Sequence, residues 1–125
     1  MNKKYLLLNS RDELYRIDIS RIVYFEADGN YTRIVLSNNT KGVVGMNLAQ
    51  MQRVLNDSLK ESAVIFARVG KKHIINVNYI YCIAVLRQQL ILSDGGNFSF
   101  QLDVSKDALK KLKELYVPSV PNTKE

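Results

Sequence analysis

Short apolar runs recur along the chain and are separated by residues that favour turns. The runs cover residues 5–8, 14–19, 22–27, 31–36, 42–44, 64–69, 74–77, 79–86, 90–92 and 98–104. The segments between them, such as residues 28–30 and 93–97, are rich in Gly, Asn and Asp, which tolerate positive φ or bond their own backbone. Many short strands bounded by such turns predict a mostly-β domain.

Two segments follow a helical spacing instead. Asn47 can cap the first helix, and Ser105 can cap the second. The apolar positions that follow each cap lie three or four residues apart on one face: Leu48, Met51, Leu55 and Leu59 in the first helix, and Leu109, Leu112 and Tyr116 in the second. We expect the first helix to cover a sheet and Pro118 to stop the second.

The composition is that of one ordinary globular domain. The chain has 125 residues, 46% of them hydrophobic and 24% charged. We expect a domain over residues 1–117 and a flexible tail over residues 118–125. The lone cysteine, Cys82, excludes an internal disulfide and is expected to pack in the core. No apolar stretch approaches membrane-spanning length, so we expect a cytoplasmic protein without membrane insertion.

The charge pattern favours a polyanionic partner. Eighteen Lys and Arg against twelve Asp and Glu leave a formal net charge of +6. No carboxylate occurs between Ala63 and Ser93, whereas four cations do: Arg68, Lys71, Lys72 and Arg87. Gly70 breaks two apolar runs, so Lys71 and Lys72 can project on a loop toward phosphates, although exposed lysines are often merely solvated.

Nothing in the sequence assembles a catalytic site, and we expect no enzyme, no cofactor and no metal. His73 is the only histidine, and the chain has no GxSxG, GxxxxGK or dinucleotide-binding glycine motif. Glu26 and Asp28 are interpreted as residues that solvate a turn or orient a neighbouring basic side chain. Asn76 is expected to cap the turn before Asn78.

Three ordered segments carry a family resemblance. They are residues 22–32 (IVYFEADGNYT), residues 66–76 (FARVGKKHIIN), and residues 100–106 (FQLDVSK) leading into residues 109–112 (LKKL). In this order and at this spacing, the chain resembles the LytTR DNA-binding domain of bacterial response regulators over about residues 5–116. The resemblance implies a mostly-β, elongated sandwich of small antiparallel sheets, with a short covering helix and a C-terminal helix.

The resemblance also implies a function and a set of site residues. It implies a bacterial transcription regulator of a two-component system that inserts loops into successive major grooves of double-stranded DNA, on tandem direct repeats. A receiver domain or a sensor kinase would be a further partner, and a chain starting directly with the DNA-binding strands would be a stand-alone regulator or a fragment. The residues that correspond to the contacting loops and their bases are Asp28, Asn30, Tyr31, Arg68, Lys71, Lys72, His73, Ser105 and Lys106.

Some of these positions depart from the family or admit a second interpretation. The family commonly has His, then Arg or Asn, where this chain has Gly70 and Lys71, and it often has Arg at the position of Lys106. Lysine lacks the bidentate fork of arginine, so the base recognised should differ. Asn30 could contact an adenine edge or simply close its turn with a left-handed backbone. His73 could equally pack at the base of its loop.

Two other classes of function stay open on the sequence alone. One is a non-catalytic β-rich interaction module whose basic loops bind an acidic protein or a membrane surface. The other is a single-stranded nucleic acid binder with an aromatic platform, for which the candidate side chains are Tyr24, Tyr31, Tyr79 and Tyr81. Preference for duplex DNA over either partner would separate the DNA-binding hypothesis from both.

Overall fold

A computed structural model describes residues 4–117 of the chain, and its ten strands form three antiparallel sheets. The strands are β1 (Tyr5–Asn9), β2 (Leu14–Asp18), β3 (Ile22–Asp28), β4 (Tyr31–Leu36), β5 (Lys41–Val44), β6 (Phe66–Val69), β7 (His73–Asn76), β8 (Ile80–Ala84), β9 (Gln89–Ser93) and β10 (Ser99–Asp103). The helices are α1 (Leu48–Leu59) and α2 (Lys106–Tyr116). The mostly-β prediction is confirmed.

A five-stranded sheet in the order β5-β4-β3-β7-β6 forms the centre of the molecule. The two-stranded sheet β1-β2 and α1 pack on one face, and the three-stranded sheet β10-β9-β8 and α2 pack on the other. Strand β3 is therefore covered on both sides, and its first four residues are all buried. This arrangement is a sandwich of small sheets with a covering helix and a C-terminal helix.

A register irregularity in β3 lets one strand serve two cores. The pairing between β3 and β4 shifts between Ile22 and Tyr24. Ile22 and Phe25 consequently belong to the same core cluster although they are three residues apart, while Val23 and Tyr24 belong to the opposite cluster. A bulge of this kind changes the strict two-residue alternation of a strand, so consecutive residues can face the same side.

Both predicted helix caps are present. The Asn47 side chain accepts from the Gln50 amide and the Gln50 side chain accepts from the Asn47 amide, a reciprocal capping box. Ser105 accepts from the amide of Ala108 at 3.2 Å. The predicted apolar faces are buried: Leu48, Met51, Leu55 and Leu59 in α1, and Leu109 and Leu112 in α2.

Several boundaries and burial predictions were wrong. Tyr116 is 50% exposed and Leu115 is also exposed, because the last turn of α2 extends past the part that packs on the sheets. Residues 60–65 form a 3₁₀ turn after α1, so the sixth strand starts only at Phe66. Cys82 is half-buried rather than enclosed. Neither helix of residues 4–117 is long and apolar enough to cross a membrane, and the tail prediction for residues 118–125 lies outside the described residues.

Asn76 joins two distant parts of the chain, and its predicted capping role is confirmed. Its side chain accepts from the Asn78 amide at 3.0 Å and donates to the Ile22 carbonyl at 2.9 Å. The residue is 1% exposed. These two hydrogen bonds connect the end of β7 to the start of β3. Because the site is buried, water could not replace them if the Asn76 side chain were removed.

We predict that Asn76→Ala lowers the free energy of unfolding by ~2–4 kcal/mol, because it leaves buried polar groups without partners. Asn38→Ala is the matched control, since Asn38 also accepts from an amide two residues on, that of Thr40, but is exposed. Its expected cost is below ~1 kcal/mol. Urea denaturation measures both, and equal costs for the two variants would contradict the role of burial.

Candidate nucleic-acid interface

Three segments that the sequence singles out lie side by side at one end of the central sheet. We name them the first turn (residues 28–31), the second loop (residues 70–72) and the α2 entry (residues 105–106). The amide of Ala27 donates to the Lys72 carbonyl at 2.8 Å, which joins the first turn to the second loop. A Cβ on Gly70 would lie 3.6 Å from that of Ala108, so the second loop also contacts the start of α2.

The first turn is a two-residue hairpin turn between the paired residues Asp28 and Tyr31. Gly29 has φ of +62°, whereas Asn30 has no positive φ. The alternative in which Asn30 closes the turn with a left-handed backbone does not hold, because a turn with positive φ at its first central position places that demand on the glycine. Asn30 and Tyr31 are exposed, and the Tyr31 ring lies against Gly45. The Asn30 side chain is thus not needed to shape the turn.

The side chain of Arg68 stabilises the second loop through hydrogen bonds to its backbone. Its guanidinium donates to the carbonyls of Gly70 and Lys71, each at 3.2 Å, and to the side chain of Gln52 at 3.3 Å. These bonds engage the loop carbonyls, while the side chains of Lys71 and Lys72 are exposed and have no such role. Arg68 therefore shapes the loop that presents the two lysines.

Gly70 has φ of +64°, as its predicted turn role requires. A side chain would fit beside Ala108 at ordinary van der Waals distance, so the constraint at this position is the backbone conformation and not the available space. The histidine common in the family would be strained here. Lys71 is therefore the first residue of the loop that carries a long side chain.

His73 lies beneath the three segments and does not reach the surface. It is 4% exposed, and its Nε2 lies 3.3 Å from Oε2 of Glu26. The Tyr24 ring packs edge-on against the imidazole. Burial lowers the pKa of His73, and the contact with the Glu26 carboxylate offsets only part of that effect, so the imidazole is neutral at pH 7. This placement agrees with the packing alternative for His73.

The α2 entry lies across an open groove from the second loop. Lys106 is exposed at the first position of α2, while the Ser105 hydroxyl oxygen is engaged in the cap. The groove has a volume of ≈ 870 Å³, and its charged lining residues are Arg68, Lys71, Lys72, Asp103, Asp107, Lys111 and Glu114. Cations outnumber carboxylates there, and the amides of the helix N-terminus add to the attraction for a phosphate.

The four tyrosines considered for a single-strand platform do not form one surface. Tyr24 is buried, and the Tyr79 hydroxyl donates to the Ser20 carbonyl at 2.6 Å. Tyr31 and Tyr81 are exposed but belong to different sheets. Within residues 4–117, this leaves no row of the four rings on which successive bases could stack.

Sequence reasoning missed Arg33 as part of the site. Its guanidinium donates to the carboxylates of Glu26 and Asp28, both at 2.8 Å. Of the two interpretations of Glu26 and Asp28, solvating a turn or orienting a basic side chain, the ion pairs agree with the second, and Arg33 is the basic side chain. A signal was present: a two-residue turn that pairs Asp28 with Tyr31 necessarily places Glu26 opposite Arg33.

The three comparisons with known proteins agree with one another. The family model of the LytTr DNA-binding domain matches residues 12–116. Two curated relatives from Paraburkholderia xenovorans (strain LB400) are named heme-containing CO-sensing transcriptional regulators RcoM 1 and RcoM 2. They are 28% and 29% identical over 84% and 79% of this chain, which spans 37% and 34% of their lengths.

A solved structure has the same fold. It is the LytTr DNA-binding domain of a response regulator from Bacillus cereus, with a TM-score of 0.61 and 22% sequence identity, covering 91% of this chain and 97% of the other. No group of three or more His, Cys, Asp or Glu side chains that could hold a metal ion occurs within the part of the chain that the structure describes.

We predict that the single histidine titrates below its ordinary value of 6.5, because burial disfavours the imidazolium. Above that pH both folded and unfolded states are neutral and the full stability is present. As the pH falls below 6.5, the unfolded chain takes up the proton first, so stability is lost by up to ~1.4 kcal/mol per pH unit until the folded pKa is reached.

Imidazole NMR signals report this titration directly, since the chain has one histidine. His73→Gln is the reference for urea denaturation between about pH 6.5 and 5, because it keeps every carboxylate and lacks only the imidazole. The difference in stability between the two proteins should change over that range. A folded-state titration at or above 6.5 would contradict the prediction.

Proposed function

The chain belongs to the LytTR DNA-binding domain family, and from this membership and its three adjacent segments we infer that it recognises a DNA sequence with loops inserted into successive major grooves. Membership implies DNA-binding transcription regulation. The observation that supports the loop mechanism is the pair Lys71 and Lys72, exposed on a loop that Arg68 holds in shape beside the first turn. Both described helices bury their apolar faces against the sheets.

Each segment offers a different chemistry to a duplex. Lys71 and Lys72 can bond phosphate oxygens or the acceptor edge of guanine, and Lys106 can do the same from the α2 entry. The Asn30 amide can both donate to and accept from an adenine edge. Ser105 and the first amides of α2 suit a phosphate, because the helix N-terminus carries a partial positive charge.

The buried and carboxylate members of the predicted set act indirectly in this proposal. His73 lies beneath the second loop, Asp28 is bonded to Arg33, and Arg68 is bonded to loop carbonyls. Direct contacts are therefore assigned to Asn30, Tyr31, Lys71, Lys72, Ser105 and Lys106. A DNA-binding regulator of a bacterium works in the cytoplasm, and the greater length of the curated relatives fits a DNA-binding part joined to sensory or receiver parts.

We predict that Lys71→Ala and Lys106→Ala each weaken binding to a selected duplex by ~1–3 kcal/mol if the ammonium reaches a base edge, and by less if it meets only phosphate. The duplex is first selected from a random-sequence pool by gel shift. Lys41→Ala is the matched control, because it removes the same charge from the opposite end of the sheet, beside Val35.

Binding is measured with folded variants against the selected duplex, its single strands and anionic vesicles. Unchanged duplex affinity for both loop variants would remove the loop mechanism. Stronger binding to single strands or vesicles than to the duplex would favour the two alternative classes of function, and a steep salt dependence alone would not distinguish them.

We predict that the protein is a monomer without DNA at micromolar concentration and that two molecules bind a duplex with two half-sites in the same orientation. A single DNA-binding module buries only about 600–1,000 Å² of protein surface, which limits the specificity of one copy. Light scattering measures the free state, and gel shifts compare direct with inverted half-sites. A tight solution dimer, or equal binding after one half-site is inverted, would contradict the head-to-tail arrangement.

A further inference from the structure

Arg33 bridges two carboxylates at the edge of the first turn. One terminal nitrogen donates to Glu26 and the other donates to Asp28, each at 2.8 Å. The side chains of Glu26 and Arg33 are 29% and 34% exposed, and that of Asp28 is 53% exposed. Both terminal nitrogens of the guanidinium are therefore engaged within the protein, a short distance from the surface proposed to face DNA.

The sheet register places this bridge in a row across three strands. Glu26 of β3 lies directly opposite Arg33 of β4 on one side and directly opposite His73 of β7 on the other. Its two oxygens are divided between them, with Oε1 bonded to Arg33 and Oε2 near His73 Nε2. A single carboxylate thus links the hairpin that forms the first turn to the strand that follows the second loop.

The charge balance of this row bears on DNA binding. Because His73 is buried and neutral at pH 7, Arg33 is the cation that compensates both Glu26 and Asp28. Without the guanidinium, two carboxylates would lie without their arginine partner at the first turn, where a phosphate-lined groove would approach. They would repel the duplex and repel each other, which would disturb the turn.

We propose that Arg33 is a positioning residue for DNA binding, acting with Glu26: it neutralises the two carboxylates and fixes the first turn against the second loop without contacting the duplex. The inference rests on the proposed DNA-binding function. It separates Arg33 from Lys71, Lys72 and Lys106, whose charges are free to meet phosphate or base. The two roles leave different signatures when the carboxylates are removed together with Arg33, since only a residue that compensates them becomes less necessary in their absence.

The first test compares Arg33→Gln with Arg21→Gln on the selected duplex. Arg21 is exposed and precedes β3, so it lies roughly 20 Å from Asp28 at 3.3 Å per strand residue, and both variants lose the same charge. We expect Arg33→Gln to bind roughly tenfold more weakly than Arg21→Gln.

The second test is rescue. Adding Glu26→Gln and Asp28→Asn to Arg33→Gln removes the uncompensated carboxylates, and we expect it to recover roughly threefold of the tenfold loss, because the repulsion is gone although the bridge is not rebuilt. The matched control adds Asp57→Asn and Glu61→Gln to Arg33→Gln, which gives the same net charge from exposed positions at the end of α1 and just beyond it. This remote pair should restore much less of the affinity for the selected duplex.

A third variant keeps the proposal testable if Arg33→Gln does not fold. Arg33→Lys retains the charge but presents one ammonium, which cannot reproduce the two-armed bridge, so an intermediate loss is expected. Equal affinities for the Arg33 and Arg21 variants, or equal rescue by both carboxylate pairs, would each overturn the proposal. If the unmodified protein selects no duplex, the DNA-binding function fails first and the positioning role fails with it.

Discussion

The fold depends on one constraint: the central sheet is covered on both faces, so its middle strands must feed two cores at once. Strands β3, β4 and β7 each contribute to both clusters, as with Ile34 and Val35 on β4, and Ile74 and Ile75 on β7. Burying both faces of a five-stranded sheet removes a large apolar area from water in a small protein. It also leaves the ends of the strands as the place where variable, polar segments can lie, and the three proposed contact segments are found there.

The element sequence was largely predictable, because each strand and helix carries its own local signal. Alternating or continuous apolar runs identify strands, and Asn47 and Ser105 identify helix starts. The ends were less predictable. Periodicity places Tyr116 on the apolar face of α2 but cannot tell where the surface that covers this face stops. No glycine or proline marks the register shift in β3. That β3 is buried on both faces can therefore be seen only once the sheets are assembled.

The residues of the candidate site also differ in how far the sequence alone predicts them. Gly70 and the turn around Gly29 are visible locally, since glycine is the residue that adopts positive φ without strain. The contact of Glu26 with His73 is not visible, because it joins residues 47 positions apart through the placement of β7 beside β3. The pairing of Arg33 with Glu26 is intermediate in predictability, because it follows once the turn between Asp28 and Tyr31 is known to contain two residues. Residues that contact a ligand leave composition signals, whereas residues that support them become apparent only through pairing between strands.

The hydrogen bonds from Arg68 to the carbonyls of the second loop have an evolutionary consequence. The second loop takes its shape from the backbone of Gly70 and from carbonyl bonds made by a neighbouring strand, so neither Lys71 nor Lys72 is needed to form it. Likewise Gly29, and not Asn30, satisfies the backbone of the first turn. Mutation can therefore exchange the tips for other side chains at little cost in stability. Under the proposed loop mechanism, the DNA sequence that is recognised can change by mutation at the tips while the scaffold that holds them keeps its stability.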